Sequence, residues 1–112
     1  MKRGEVWTVA GGGDYAGKPR PAVILQDNQF GEMHSVTICA FTTDPTDVPL
    51  IRPVVQPSET NGLREVSRLM TDKLTSVPRA RLGGRIGVLA ANDLAALNAA
   101  MLLFLGLATP AR

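Results

Sequence analysis

Polar residues of three kinds stand at the ends of segments that read as β-strands: Arg20, Thr42, Thr43, Asp72 and Lys73. If those strand ends converge, cations, hydroxyl groups and a carboxylate share one site. Arginine and threonine suit phosphate binding, and a carboxylate can serve as a general base. Such a set can cleave RNA without a metal, because the 2′-hydroxyl of RNA attacks the adjacent phosphorus and needs only positioning, proton transfer and charge stabilisation. Structural capping and turn chemistry are the competing interpretation of the same residues.

Other kinds of catalytic site find little support in the sequence. The chain has one histidine, His34, and one cysteine, Cys39, and it has no P-loop. The glycines at 11–13 lack the spacing of a dinucleotide fingerprint, so neither a metal nor a nucleotide cofactor is expected. His34 lies in a turn, and Cys39 alternates with apolar neighbours in a strand, where a free cysteine is usually a small buried hydrophobe. We therefore assign neither residue a role.

The first two thirds of the chain have the pattern of a small antiparallel β-fold, with turn residues about every ten positions. Apolar patterns predict strands at 5–10, 21–25, 35–41, 50–55, 65–70 and 84–89. Prolines around the fourth segment require it to be irregular or at a sheet edge. Asn61 with Gly62 predicts a tight turn, and 79–82 reads as a short turn or helical piece.

The last segment predicts a helix that is capped by Asn92 or Asp93 and runs to about Leu105. Its first half carries apolar residues at helical spacing, but Leu103 and Phe104 make its second half apolar on every side. Two interpretations of this surplus stay open: burial against a second copy of the chain, or a deep position in the core.

Size and charge narrow the class of protein. A length of 112 residues leaves room for one domain, 1–112. The longest apolar run, 94–107, is shorter than the roughly 20 residues that a membrane span needs, so no membrane partner is expected. The single cysteine and the polar amino-terminal segment favour the cytoplasm.

The formal net charge is only +2, but six bases and two acids occupy 64–85. This basic stretch fits a phosphate backbone, an acidic partner peptide or simply solvated arginines.

Five short motifs, in order over essentially the whole chain, resemble the MazF/PemK family of toxins, which shares its fold with the CcdB gyrase poisons. They are KRGEVW at 2–7, KPRPAVILQ at 18–26, FTT at 41–43, LMTDK at 69–73 and RLG at 81–83. The resemblance implies an SH3-like antiparallel β-barrel with a C-terminal helix, and a homodimer with an RNA groove along its interface. It implies metal-independent cleavage of single-stranded RNA that leaves a 2′,3′-cyclic phosphate and a 5′-hydroxyl, with mRNA the expected class and tRNA or rRNA further candidates. It also implies a type II toxin silenced by an antitoxin with an acidic C-terminal segment.

The resemblance assigns roles residue by residue. The family's arginine falls on Arg20, which would hold the scissile phosphate and relay a proton, and its threonine falls on Thr42, which would bind a phosphate oxygen. Asp72 matches the general base of some members, but those members have an arginine acid where this chain has Met70. The acid is then Arg20 in a double role, which we favour, or Arg68. Positions expected to bind RNA are Asp14, Tyr15, Lys18, Thr43, Arg68 and Lys73, three of them in or beside a glycine loop that family members fold over RNA.

The main alternative is a gyrase-poisoning toxin of the CcdB kind, which binds a protein and cleaves no RNA. Those toxins depend on an aromatic C-terminus resembling Trp-Gly-Ile. This chain ends in LATPAR and retains Arg20 and Thr42. A nuclease is therefore the preferred interpretation. A degenerate toxin that binds RNA without cleaving it is a third possibility.

Overall fold

The computed structural model describes residues 1–11 and 18–108 of the chain. Its helix, α1, spans Ala91–Phe104. Its strands are β1 Glu5–Val9, β2 Arg20–Ile24, β3 Ser35–Thr42, β4 Val54–Val55, β5 Ser67–Leu69, β6 Thr75–Pro78 and β7 Leu82–Val88. Short 3₁₀ helices lie at Asn28–Phe30, Thr71–Lys73 and Arg79–Arg81. The prediction of a mainly β fold with a C-terminal helix is confirmed.

The described strands form one curled antiparallel sheet in the order β4-β5-β3-β2-β1-β7, and β6 pairs with β3. The long strand β3 organises this sheet. One of its edges pairs with β2, while its other edge is shared by β6 over 35–38 and by β5 at Phe41 and Thr42. The connection from β5 to β6 therefore runs along this edge of β3. There Met70 donates its N–H to the carbonyl of Ala40 at 3.0 Å.

Alternation along the strands divides the interior into two apolar clusters. Val36 and Ile38 of β3 belong to one cluster, whereas Cys39 and Phe41 belong to the other. This division confirms the two faces predicted for the segment. The cluster of Cys39 also receives Leu97 from α1, because the helix packs against that side of the sheet.

A hydrogen-bonded turn at 58–62 lies against β7. Asn61 is almost wholly buried, and its side chain accepts the N–H of Ser58 and that of Leu63 and donates to the carbonyl of Gln56. Val88 donates its N–H to the carbonyl of Thr60 at 2.9 Å, which connects the turn to the last strand. The tight turn predicted at Asn61 and Gly62 is confirmed, and it completes the curl of the sheet.

Some predicted boundaries were wrong. The edge strand at 50–55 is reduced to Val54–Val55, because prolines on both sides remove ladder donors. Strand β6 was not predicted, since four residues that end in a proline and lie between two 3₁₀ helices carry too little local pattern. Helix α1 begins at Ala91 with no side-chain cap, and Asp93 lies in its first turn, where a carboxylate favours the helix dipole.

The second half of α1 stays at the surface of the single chain. Leu102, Leu103, Phe104, Leu105 and Leu107 are between 39% and 72% exposed. The deep-core interpretation is therefore wrong, and burial against a second copy stays a prediction. Within the described part of the chain, no helix is long and apolar enough to cross a membrane.

Candidate active site

A cleft of about 440 Å³ opens beside the ends of β1, β2 and β3. Its floor is apolar and includes Ala22, Ile38 and Ala40. The lining also holds three cationic residues, three hydroxyl residues and a thioether: Arg20, Lys73 and Arg81, then Thr42, Thr75 and Ser76, and Met70. Among the described residues that line the cleft there is no carboxylate. A solvent-open cleft with this charge distribution attracts anions, and arginine with a hydroxyl matches the donors that a phosphate accepts.

The register of the sheet puts Arg20 and Thr42 on the same face. Arg20 begins β2 and Thr42 ends β3, and Ala22 pairs with Ala40 between the same two strands. Continuing that antiparallel register by two residues brings Arg20 opposite Thr42, because side chains two apart lie on one face. Two residues that are separated by the whole of β2, a turn and β3 in sequence thus become neighbours at one end of the cleft.

The Thr42 hydroxyl retains its ability to donate. The backbone N–H of Asp44 donates to Thr42 Oγ1 at 3.1 Å, which uses one acceptor position of the oxygen. A hydroxyl has one O–H donor and two lone pairs, and within 1–11 and 18–108 the O–H has no acceptor, so it can donate to an anionic ligand. The carboxylate of Asp44 accepts from the N–H and the hydroxyl of Thr46, which holds the loop after β3 in a fixed turn.

Lys73 and Arg81 enter the cleft from the segments before and after β6. Lys73 ends a 3₁₀ helix and donates its N–H to the carbonyl of Met70 at 3.0 Å. Arg81 ends the next 3₁₀ helix, and its carbonyl accepts the N–H of Ala10 at 2.9 Å just beyond β1. Arg81 was absent from the predicted site residues. Its membership in the basic stretch 64–85 and in the RLG motif was the available signal.

Asp72 does not line the cleft. Its two carboxylate oxygens accept a bidentate pair of bonds from Arg52, with Nε to Oδ1 at 3.0 Å and Nη2 to Oδ2 at 3.1 Å. Those bonds hold the pKa of the Asp72 carboxyl below its ordinary value of 3.8. A general base works best with a pKa near the operating pH and with a lone pair within reach of the substrate. The structure therefore places the Asp72 carboxylate in an ion pair with Arg52 and not among the residues that line the cleft.

Three further residues predicted to bind RNA do not line the cleft: Lys18, Thr43 and Arg68. Lys18 and Thr43 are exposed near the start of β2 and the end of β3. Arg68 pairs across the sheet with Thr42, but its Nη1 donates to the carbonyl of Asp44 at 3.3 Å. Asp14 and Tyr15 lie outside the described residues. In the described ranges 1–11 and 18–108, histidine, cysteine and carboxylate side chains do not form a group that could hold a metal.

We expect the ion pair between Arg52 and Asp72 to stabilise the fold at neutral pH and to lose this contribution in acid. Because the pKa of Asp72 is lowered in the folded chain, its stabilisation is complete above the ordinary value of 3.8 and disappears as the pH falls through the lowered pKa. Asp72→Asn should lower the free energy of unfolding by about 1 kcal/mol at pH 7. The difference from the unmodified chain should shrink towards zero between about pH 5 and pH 2.

Urea denaturation at a series of pH values measures this difference. Asp47→Asn, at an exposed residue outside any ion pair of the described chain, is the matched control and should leave stability nearly unchanged at every pH. A constant difference between Asp72→Asn and the unmodified chain from pH 7 to pH 2 would contradict the assignment.

The sequence matches the family model for PemK-like, MazF-like toxins of type II toxin-antitoxin systems over residues 2–105. This chain belongs to that toxin family. The MazF-like chain is 48% identical over 108 residues to a probable endoribonuclease MazF of Mycolicibacterium smegmatis, an alignment that covers 96% of this chain and 99% of the relative. The recognition of the MazF/PemK family from the five motifs is confirmed.

Solved structures of related toxins have the same fold. The Mycobacterium tuberculosis toxin MazF-mt6 superposes with a TM-score of 0.79 at 25% identity, covering 94% of this chain and 99% of that chain. A mycobacterial endoribonuclease solved in complex with its cognate antitoxin gives a TM-score of 0.82 at 22% identity, covering 98% of this chain and 99% of that one. The second likeness bears on the fold alone.

Proposed function

We propose that this MazF-like toxin is a sequence-specific endoribonuclease that cleaves single-stranded RNA without a metal. One observation carries the proposal: Arg20 and Thr42 share one end of a cleft that has two further cations and, among its described lining residues, no carboxylate. The relative from Mycolicibacterium smegmatis, named as a probable endoribonuclease, supports the same activity. A gyrase poison of the CcdB kind is not favoured, because family and relative both point to the MazF branch.

In the proposed reaction Arg20 holds the non-bridging oxygens of the scissile phosphate, and the Thr42 hydroxyl donates to one of them. The 2′-oxygen forms a bond to phosphorus while the bond from phosphorus to the 5′-oxygen breaks. Arg20 gives a proton to the departing 5′-oxygen and takes up the proton of the 2′-hydroxyl on the nitrogen freed in this way, so the guanidinium is charged before and after the step. The products are a 2′,3′-cyclic phosphate and a 5′-hydroxyl. Stabilising the charge that develops on the phosphorane is the largest part of this catalysis.

Lys73 and Arg81 supply the remaining electrostatic contribution by binding the phosphates next to the scissile one. Backbone contacts of this type add affinity without reading sequence, and they make binding weaker as salt rises. The same cations suit an acidic peptide, which supports an antitoxin whose acidic C-terminal segment competes with RNA for the cleft. The mycobacterial endoribonuclease with the same fold was solved with its cognate antitoxin, which supports an antitoxin as the partner of this chain.

The assembly that we propose is a cytoplasmic homodimer of a single toxin domain, 1–112. The exposed leucines and the phenylalanine at the end of α1 form the apolar surface that a second copy would bury. A closed symmetric dimer uses the same patch twice, so one such surface per chain is sufficient. Analytical ultracentrifugation of the purified chain measures this state, and a monomer at micromolar concentration would contradict it.

The function is tested by incubating the purified chain with a long single-stranded RNA in EDTA and mapping the 5′ ends of the fragments. We expect discrete cuts at a short recurring sequence, each carrying a 5′-hydroxyl. Arg64→Ala is a control variant, since Arg64 is exposed and does not line the cleft, and it should cut the same sites. Intact RNA would contradict the proposal and would make a gyrase supercoiling assay the next measurement.

A further inference from the structure

We propose that Arg52 and Asp72 are positioning residues, which fix the 3₁₀ helix Thr71–Lys73 and so hold Lys73 at the cleft, and that Asp72 takes no proton from RNA. This inference rests on the proposed function of the cleft, because it assigns Lys73 the task of binding substrate phosphate. The family resemblance matches Asp72 to a general base that touches RNA, whereas we assign this carboxylate the role of holding the 3₁₀ helix in place.

Residues 51–53 form hydrogen bonds with the end of β5 and with the 3₁₀ helix at three successive positions. We call this set of contacts the clamp. The carbonyl of Pro53 accepts the N–H of Leu69 at 3.0 Å. The carbonyl of Ile51 accepts both the N–H and the hydroxyl of Thr71. Between these two backbone contacts, Arg52 reaches the carboxylate of Asp72. The ion pair is thus one part of a continuous clamp on 69–72.

The clamp and the cleft lie on different sides of the 3₁₀ helix. Met70 and Lys73 line the cleft, whereas Asp72 does not. Cys39 packs in the core cluster on the helix α1 side, and burial, followed by the negative charge of Asp72, raises the pKa of its thiol to about 12. The 3₁₀ helix also contacts α1, which packs on the Cys39 side of the sheet, whereas Ile38 and Ala40 of the cleft belong to the opposite cluster.

The geometry of a 3₁₀ helix makes the direction of Lys73 at the cleft depend on that of Asp72 at the clamp. With three residues per turn, successive side chains point about 120° apart. Asp72 and Lys73 consequently cannot point in the same direction, and fixing the direction of one fixes that of the other. A bidentate arginine-carboxylate pair supplies this constraint, since its two parallel bonds fix orientation as well as distance.

The low exposure of the pair supports a geometric role over a proton-transfer role. The side chains of Arg52 and Asp72 are 13% and 23% exposed, and both oxygens of the carboxylate are occupied by Arg52. For Asp72 to act as a base on RNA bound in the cleft, the 3₁₀ helix would have to rotate, because Asp72 does not line the cleft. Such a rotation would also remove Lys73 from the cleft.

Steady-state cleavage of a short RNA reporter by single and double variants tests the assignment. We expect Asp72→Asn and Arg52→Ala each to raise KM roughly tenfold through misplacement of Lys73, with kcat within about threefold of the unmodified chain. In a Lys73→Ala background, Asp72→Asn should change KM by no more than about twofold, because the residue through which it acts is already gone. The pH profile of kcat should be the same in Asp72→Asn as in the unmodified chain.

A general base would give the opposite pattern. Asp72→Asn would then lower kcat by about 100-fold or more, would do so equally in the Lys73→Ala background, and would remove the acidic limb of the pH profile. That result would overturn the proposal. The reversed pair, Arg52→Asp with Asp72→Arg, adds a rescue test, and we expect its KM to return to within about threefold of that of the unmodified chain.

Amide hydrogen exchange tests the positioning independently of any RNA cleavage. Asp72→Asn and Arg52→Ala should speed exchange at the N–H groups of Thr71 and Lys73, while that of Ile38 in β3 should stay protected. Unchanged exchange at Thr71 and Lys73 would overturn the positioning role even if the chain cleaves RNA. If exchange is faster in the variants but the unmodified chain leaves RNA intact, the positioning role is supported and the proposed function is contradicted.

Discussion

Arg20→Ala is expected to reduce RNA cleavage by roughly 10³-fold, mainly through kcat, because one side chain both stabilises the phosphorane and relays the proton. Arg20 is exposed at the first residue of β2, so its removal should leave the core intact. The variant should keep the melting temperature of the unmodified chain within a few degrees. A fluorescent RNA reporter and a thermal melt measure the two quantities.

Two further variants separate the possible reasons for such a loss. Arg20→Lys keeps the positive charge but loses the planar fork that matches a phosphate, so we expect only partial recovery of kcat. Arg64→Ala removes an exposed arginine from the same chain without touching the cleft and should keep full activity. Turnover of Arg20→Ala within tenfold of the unmodified chain would remove Arg20 from the mechanism.

Substitution of the glycines between β7 and the 58–62 turn should cause the largest loss of stability. At Gly87 an added Cβ would come closer than 3.0 Å to backbone atoms of Thr60 and Asn61, and at Gly62 it would overlap the backbone of Ile86 in the same way. Gly62 also has a φ of +72°, which disfavours any side chain. We expect Gly62→Ala to cost about 3 kcal/mol and Gly87→Ala about 2 kcal/mol.

Matched glycines distinguish steric overlap from backbone strain. A Cβ at Gly84 would meet nothing within 4 Å, so Gly84→Ala should change stability by less than about 0.5 kcal/mol. Gly106 has a φ of +74° but open space, so Gly106→Ala isolates the strain and should cost about 1 kcal/mol. Chemical denaturation measures all four variants. If Gly87→Ala were as stable as Gly84→Ala, the turn would not be packed against β7.

The elements that position the cleft were predictable where a local pattern exists. Alternation along 35–41 set the two faces of β3, because consecutive side chains of a strand point to opposite sides whatever they pack against. The polar residues after these strands therefore had defined directions before any contact was known. The five motifs identified the family for a related reason, since their residues and their order can be read from the chain without knowledge of the tertiary structure.

The same local reasoning failed where the pattern was short or where the cap was absent. Strand β6 has only four residues and owes its existence to pairing with Ser35–Ile38 of β3. Helix α1 begins at Ala91 without a side-chain cap, so a search for capping residues placed its start too late. Both errors concern features that are stabilised by packing rather than by their own sequence.

The sequence by itself determined which residue types stand at the strand ends, which faces of the strands are apolar and, through its motifs, the toxin family. Only the tertiary structure decided how those strand-end residues are used. The basic stretch 64–85 that contains Asp72 holds five arginines, yet Asp72 pairs with Arg52, which lies outside that stretch and 20 positions away. Arg81 reaches the cleft because its backbone bonds to Ala10, near the opposite end of the chain. Periodicity records only the direction of a side chain relative to its neighbours, whereas the choice of partner depends on which distant segments the curled sheet brings together.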